Sequence, residues 1–344
     1  MSLGSGGMSV TIADPNWRNA VSVPVSGPSA SWQVSTIGRF SGVIPAGRAH
    51  GLGFDDLKGK WIRYDDPYMG PWGGTIQRNQ TDSGSGIMEL SADSFHARMR
   101  GIRTPIMSKT ISGASGQLAL YVMTQSPTDK RLWFDSIAAS SDGAVQRLDL
   151  RGDDLYDVVS SLASDSDHEF NVILNDDGTI DWEFRRRIGS DNTGSVILSE
   201  GWNVMSCQVS PSIDGMVNDI LAVSNEQDWI TAPRRRIIDP DSVIAYEHQS
   251  EIRQYLGNAG TGSMVTRAKR DLEINGIAAI PATVSMPGNR VELRSIREGD
   301  TVRLWSNRQN ARYFFRVISR SIERSGGNAV AKLAGDCILE ETMP

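Results

Sequence analysis

This chain of 344 residues has little cysteine, little histidine and no long apolar run. Two cysteines, Cys207 and Cys337, cannot staple a disulfide framework and read as buried, idle thiols. His50, His96, His168 and His248 are scattered, and no two sit at metal-ligand spacing. No apolar stretch approaches the roughly 18 residues needed to cross a bilayer. A basic excess is missing as well: the net charge of -6 argues against a dedicated, sequence-specific nucleic-acid binder. The opening Met1-Ser-Leu-Gly-Ser-Gly-Gly-Met8 has neither a basic region nor an apolar core, so it is no signal peptide. Residues 1–16 read as a flexible leader, with Met8 as an alternative start, and the chain is expected to fold in a cytosol. What is abundant is glycine, 34 residues set between short apolar runs, as in a turn-rich β protein.

The C-terminal third repeats a pattern found near the start. Trp61-Ile-Arg-Tyr64, Gly73-Gly-Thr-Ile-Gln-Arg78, a Ser83-Gly-Ser-Gly86 turn and Ile87-Met-Glu-Leu90 form the first copy. Thr301-Val-Arg-Leu304, Phe315-Arg-Val-Ile-Ser-Arg320, a Ser325-Gly-Gly327 turn and Ala329-Val-Ala-Lys-Leu333 form the second. Each reads strand, loop, strand, tight turn, strand. Two copies of one small β unit suggest a duplicated scaffold, and such scaffolds commonly build assemblies.

The pattern predicts a first β-barrel over 17–110, with strands at 21–25, 31–34 and 40–44 preceding the first copy. An α+β domain is inserted over 111–200. Its helix, at about 154–164, starts from Asp153 or Asp154, with Leu155, Val158, Val159 and Leu162 on one face. A hairpin follows, Phe170, Val172 and Leu174 alternating before the Asn175-Asp-Asp-Gly178 turn and Ile180, Trp182 and Phe184 after it. Residues 201–240 hold strands returning to a barrel, at 203–209 and 219–224, and a polar linker through Arg234-Arg-Arg236 and Asp239-Pro-Asp241. Residues 241–344 hold a helix from about Ser263 to Asn275, then strands at 282–286, 290–294, 301–305, 313–320 and 328–333, forming a second barrel. The fold class is thus mainly β: two related barrels flanking a small helix-plus-hairpin domain.

Candidate chemistry is thin. His168-Glu169 begins like a zinc-protease motif, but the second histidine is absent. Gly113-Ala-Ser115-Gly-Gln117 fails as a nucleophile elbow at its last position, and Ser115 reads as a turn residue. Gly257-Asn-Ala-Gly-Thr-Gly262 has P-loop glycine spacing, yet Ser263-Met264 stand where Lys and Ser or Thr would hold phosphate and magnesium. The pairs Asp55-Asp56, Asp65-Asp66, Asp153-Asp154 and Asp176-Asp177 fall in turns or at a helix start, whereas a glycosidase needs carboxyls facing across a sugar. In Arg151-Gly-Asp153 the aspartate is better explained as the helix cap. Arg185-Arg-Arg187 and Arg234-Arg-Arg236 read as a solvated strand end and a solvated linker, or as a positive lining or interface facing an acidic partner or passing nucleic acid. Trp61, Trp72, Trp229 and Trp305 are core residues or candidates for an interface. No catalytic, cofactor-binding or metal-binding residue is assigned, and no cofactor is expected.

The order barrel, insertion, barrel carries a family resemblance. Thr266-Arg-Ala-Lys-Arg-Asp-Leu272, Val291-Glu-Leu293 and Arg297-Glu-Gly-Asp-Thr-Val302 announce the second barrel. Leu155-Tyr-Asp-Val-Val-Ser-Ser-Leu-Ala163 and Asn175-Asp-Asp-Gly-Thr-Ile-Asp-Trp-Glu-Phe184 match the insertion. In this order, over roughly residues 17–340, the chain resembles the baseplate hub proteins of tailed bacteriophages, including the structural part of siphophage tail-associated proteins. The resemblance implies a homotrimer in the virion tail tip, made in the host cytoplasm; some members of the family carry a lysozyme or peptidase region, and with no catalytic constellation here the chain is read as non-enzymatic. Its two barrels would alternate around the tail axis, match a six-fold tail to a three-fold tip and line the tail channel. Its partners would be the distal tail ring, the tape-measure end and a distal tip or fibre protein. Two alternatives are a β-rich cell-wall or glycan hydrolase and a carbohydrate-binding adhesion module with a tryptophan platform.

Overall fold

The computed structural model describes residues 8–47, 57–82, 86–107, 110–125, 134–143, 145–210, 216–224, 232–255, 264, 265, 268, 269, 271, 272, 280–325 and 328–342. They divide into two compact units. The first takes the chain up to Cys207, then Thr283–Gly335 and the residues from Leu339; the second takes Gln208–Ala282 and Asp336–Ile338.

Seven strands come first: β1 (Ser9–Asp14), β2 (Arg18–Pro24), β3 (Ser26–Gln33), β4 (Arg39–Pro45), β5 (Trp61–Asp66), β6 (Gly70–Asp82) and β7 (Ile87–Ser94). The expected leader is corrected here. Val10 and Ile12 are buried, and β1 pairs antiparallel with both β2 and β5, so its apolar alternation is paid for by two neighbours. The insertion adds β8 (Ile111–Ala114), β9 (Ser136–Ala139), β10 (Val145–Leu148), β11 (Glu169–Leu174) and β12 (Ile180–Arg185). Then come β13 (Ile197–Ser199), β14 (Ser206–Val209), β15 (Asp219–Ser224), β16 (Arg234–Ile238) and β17 (Ser250–Tyr255). The chain closes with β18 (Pro281–Pro287), β19 (Thr301–Ser306), β20 (Ala311–Ser325) and β21 (Asn328–Thr342).

Thirteen strands share one hydrogen-bonded path, β14-β18-β21-β20-β3-β4-β7-β6-β5-β1-β2, with β19 beside β20 and β13 beside β19. Within it the strand order β4-β7-β6-β5 matches the order β18-β21-β20-β19. In both, the first strand pairs with the last of the three that follow. The two sets are joined where β20 meets β3, Arg320 opposite Trp32 and Ile322 opposite Ala30. The expected strand at 290–294 is instead a 3₁₀ turn, Val291–Ser295, which buries only Leu293.

The inserted layer packs two helices on a three-stranded sheet in the order β11-β12-β9. Leu155–Ser166 is a helix capped by Asp154, whose carboxylate accepts the Tyr156 N–H at 3.0 Å; the cap is therefore not Asp153. Leu155, Val158, Val159, Leu162 and Ala163 form its buried stripe. Ser115–Gln125 is also a helix, so Ser115 is no turn residue. Leu118, Ala119, Val122 and Met123 bury one face of it against Phe170, Trp182 and Phe184.

In the second unit β15 runs between β16, antiparallel, and β17, parallel. The strand at 219–224 thus belongs to a separate three-stranded sheet and not to a returning barrel. Met264, Ala268 and Leu272 lie at helical spacing and cover Ile220 and Ala222; the described residues of this stretch are helical. The supposed linker is ordered too. Asp239 caps the short helix Pro240–Tyr246, accepting the N–H groups of Asp241 and Ser242, with proline at the first turn where no N–H is needed.

Candidate functional site

Strand β20 carries Arg312, Arg316, Arg320 and Arg324, one every fourth residue. An even interval keeps all four on one face of a strand. Each is pinned to a different part of the first unit. Arg312 lies over the Trp305 ring at 4.8 Å, and Arg316 meets Glu169 of the insertion at 2.6 Å. Arg320 grips Glu298 through Nε and Nη2, at 3.0 and 2.7 Å, and donates to the Ile296 carbonyl at 2.6 Å. Arg324 reaches Asp66 at 2.8 Å, and the same carboxylate accepts from Tyr64 and from the Tyr68 and Met69 N–H groups. Burial pushes the Tyr64 hydroxyl up, and the Asp66 charge adds to it. Burial pushes the Glu298 carboxyl up, but the Arg320 charge and the hydrogen bonds from the backbone, Arg320 and Asn171 together outweigh it and hold Glu298 below its ordinary value.

The hairpin of β11 and β12 clamps the same surface at both ends. At its tip, Trp17 donates to the Gly178 carbonyl at 2.8 Å and Arg63 to the Asp176 carbonyl at 3.0 Å. At its base, Glu169 meets Arg316, Asn171 reaches Glu298 at 3.4 Å and Ser35 exchanges hydrogen bonds with Phe170. Just beyond, the backbones of Gly189 and Gly299 cross so closely that a Cβ on Gly189 would lie 2.1 Å from the Gly299 carbonyl carbon. Both glycines have φ near +90°, so neither position accepts a side chain.

Between hairpin, ladder and the β5–β6 turn lies a cavity of about 290 Å³. Trp32, Phe95 and Leu174 supply its apolar lining, His96, Asn171, Glu298 and Arg320 its polar wall, and Arg294 and Arg297 its mouth. His96 is buried, its Nε2 accepting the Val172 N–H at 3.2 Å, and burial holds it neutral, down to about 4. The arrangement braces three chain segments. Among the described residues no cluster of metal-binding side chains occurs.

No protein-family model and no curated protein matches the sequence. Solved structures do. A tail protein from Neisseria meningitidis MC58 superposes with a TM-score of 0.68 at 14% identity, covering 96% of each chain. The fold is that of phage tail proteins. The prophage MuSo2 43 kDa tail protein from Shewanella oneidensis follows at 0.66 and 11%, over 98% of this chain and 100% of that one. Prophage tail protein gp18 from Listeria monocytogenes EGD-e gives 0.62 and 12%, over 98% and 95%.

Within this tail-protein fold the residues singled out by sequence are dispersed. Asp66 enters the ladder, but Asp153, Asp154, Asp176 and Asp177 serve turns and a cap. Trp61 and Trp72 are buried, and Trp305 lies half-buried beneath Arg312; among the described residues the exposed tryptophan is Trp202, at 64%. Arg185 pairs with Glu183, Arg186 approaches Asp167, and Arg187 donates to Thr301. Arg236 holds Asp219. His168 stacks on Phe184, with its Nε2 3.4 Å from an Asp142 carboxylate oxygen. Cys207 and Cys337 are buried thiols outside any disulfide, and burial pushes the Cys207 thiol up to about 11. The Gly257–Gly262 loop, Asp55-Asp56, His50 and Trp229 lie outside the described residues. The ladder itself was missed, although arginine at 312, 316, 320 and 324 was a readable signal.

Proposed function

We propose that this chain is a non-enzymatic structural hub of a phage tail tip or baseplate. The observation that carries the reading is the repeated strand order, β4-β7-β6-β5 and β18-β21-β20-β19, held in one sheet. A chain with two like β units presents two near-equivalent surfaces, so three copies offer six positions to a six-fold tail. In this reading each β unit closes as a barrel, the first from about residue 9 to 110 and the second from about 281 to 344, with 111–200 as the insertion and the sheet of β15, β16 and β17 as a further module between them. The homotrimer lines the tail channel and sits between the distal tail ring with the tape-measure end above and a tip or fibre protein below. The ladder and the hairpin clamp, all within the first compact unit, would hold the two like β units of one copy in fixed register, which a ring requires. Burial of Trp61 and Trp72 weighs against the sugar platform of an adhesion module, and the paired aspartates weigh against a hydrolase cleft.

Light scattering across a concentration series, followed by electron-microscopic averaging of the largest species, tests this. Trimers with six similar β lobes around an axis are expected. A dimer at every concentration, or a trimer without the six lobes, overturns it.

A further inference from the structure

The cavity beside the ladder has an open end that bracing does not explain. Its floor is apolar, from Trp32, Phe95 and Leu174. Its carboxylate Glu298 is already engaged by Arg320 and Asn171, so it is not available to a visiting cation. At the mouth, Arg294 is exposed and held in place, its guanidinium 4.9 Å from the Tyr68 ring centroid and donating to the Pro67 carbonyl. Arg297 is exposed as well, and among the described residues its side chain has no hydrogen bond or ion pair. The lining thus carries three arginines, Arg294, Arg297 and Arg320, against two carboxylates, Glu298 and Asp176. In a chain of net charge -6 this is a local positive site.

One wall is the outer edge of β11, the terminal strand of its sheet. Asn175 pairs with Thr179 across the hairpin, so the alternation of an antiparallel ladder turns the backbone groups of Leu174 away from β12. Those of Phe170 and Val172 turn the same way, and their N–H groups are taken by Ser35 and His96. Leu174 is therefore the place on this edge where a further strand can bond.

We propose that this groove receives an extended acidic segment of a partner polypeptide. The segment adds to the edge of β11 at Leu174, sets an apolar side chain on the floor and places its carboxylates against Arg294 and Arg297. The chemistry of recognition does not depend on the hub reading, so the two can fail separately.

The test uses the full chain and two dye-labelled probes, a short peptide alternating glutamate with valine and its lysine-valine counterpart. Fluorescence anisotropy should show saturable binding of the acidic peptide only, weakening as salt is raised. Arg294→Glu with Arg297→Glu should lower the affinity by about tenfold or more, while Arg235→Glu, an exposed arginine elsewhere, leaves it unchanged. Arg297→Glu alone, which removes no contact of the fold, should show a smaller loss in the same direction. The proposal fails if the lysine peptide binds equally, if no saturable binding is seen, or if Arg297→Glu is without effect in a protein whose melting is unchanged.

Discussion

Each unit buries a carboxylate beside an arginine, and the two pairs are built differently. In the first unit both Arg320 and Glu298 are withdrawn from water, with side-chain exposures of 4% and 12%. In the second, Asp219 is buried at 3% while Arg236 stays 58% exposed. Asp219 spreads its lone pairs over Arg236, Ser250 and His248, so no single donor is indispensable. Beside Arg320, Glu298 has only the Asn171 amide at 3.4 Å as a side-chain donor among the described residues. When both charges leave water, the pair is worth its desolvation only if every partner stays in place. When one remains solvated, the loss is shared.

The largest effect should come from breaking the first pair. Arg320→Met leaves Glu298 buried without its counter-charge and should cost about 3 kcal/mol in urea denaturation. Arg236→Met should cost only about 1 kcal/mol, since Ser250 and His248 remain. Equal losses would break the comparison.

Acid separates the units next. His96 is held down to about 4, against an ordinary 6.5, because burial disfavours its charged form. The unfolded chain therefore takes up that proton first, and the first unit loses stability as pH falls from 6.5 toward 4. Asp219 is held at about 2 by Arg236, against an ordinary 3.8. Its contribution is complete above 3.8 and is lost only as pH falls toward 2. Melting followed at about pH 7, 5 and 4 should show the His96 share of the loss, and that share should vanish in His96→Asn. An unchanged slope in that variant removes His96 from the account.

The smallest effect sits at a helix start. Asp154→Ala removes the acceptor for Tyr156 N–H and should destabilise the first unit by about 1 kcal/mol, read from the denaturation midpoint. A change within error would mean that the cap adds nothing beyond the buried stripe of Leu155, Val159 and Leu162.

Much of the fold was legible where one rule acts alone. The Asn175–Gly178 turn between alternating runs gave the hairpin, and the stripe from Leu155 to Leu162 gave its helix. Both copies of the strand-turn-strand pattern became strands, β5 to β7 and β19 to β21. The errors came where local signals were short or mixed. The helix Ser115–Gln125 hid behind a glycine and a serine at its start, and the Pro240–Tyr246 helix behind a proline-aspartate run that resembles a loop. Strand β1 looked like a leader because its partners, β2 and β5, are not visible in six residues of sequence. The brace was the least legible part. Arg316, Arg320 and Arg324 find their carboxylates 147, 22 and 258 positions away, and no local pattern reports such distances.

Strand β3 has β4 on one side and β20 on the other, and β4 follows it directly while β20 begins at Ala311. During synthesis the first of these neighbours arrives at once and the second only after everything between Gln33 and Ala311 has been made. Until then one edge of β3 stands open, and an open edge is a template for a wrong strand. The ordering of events is thus written into the connectivity: β1 to β7 can pair among themselves early, but the open edge of β3 waits for β20. A chain cut short before Ser319 would lack the strand that seals it, and would be marked by that exposed edge as unfinished.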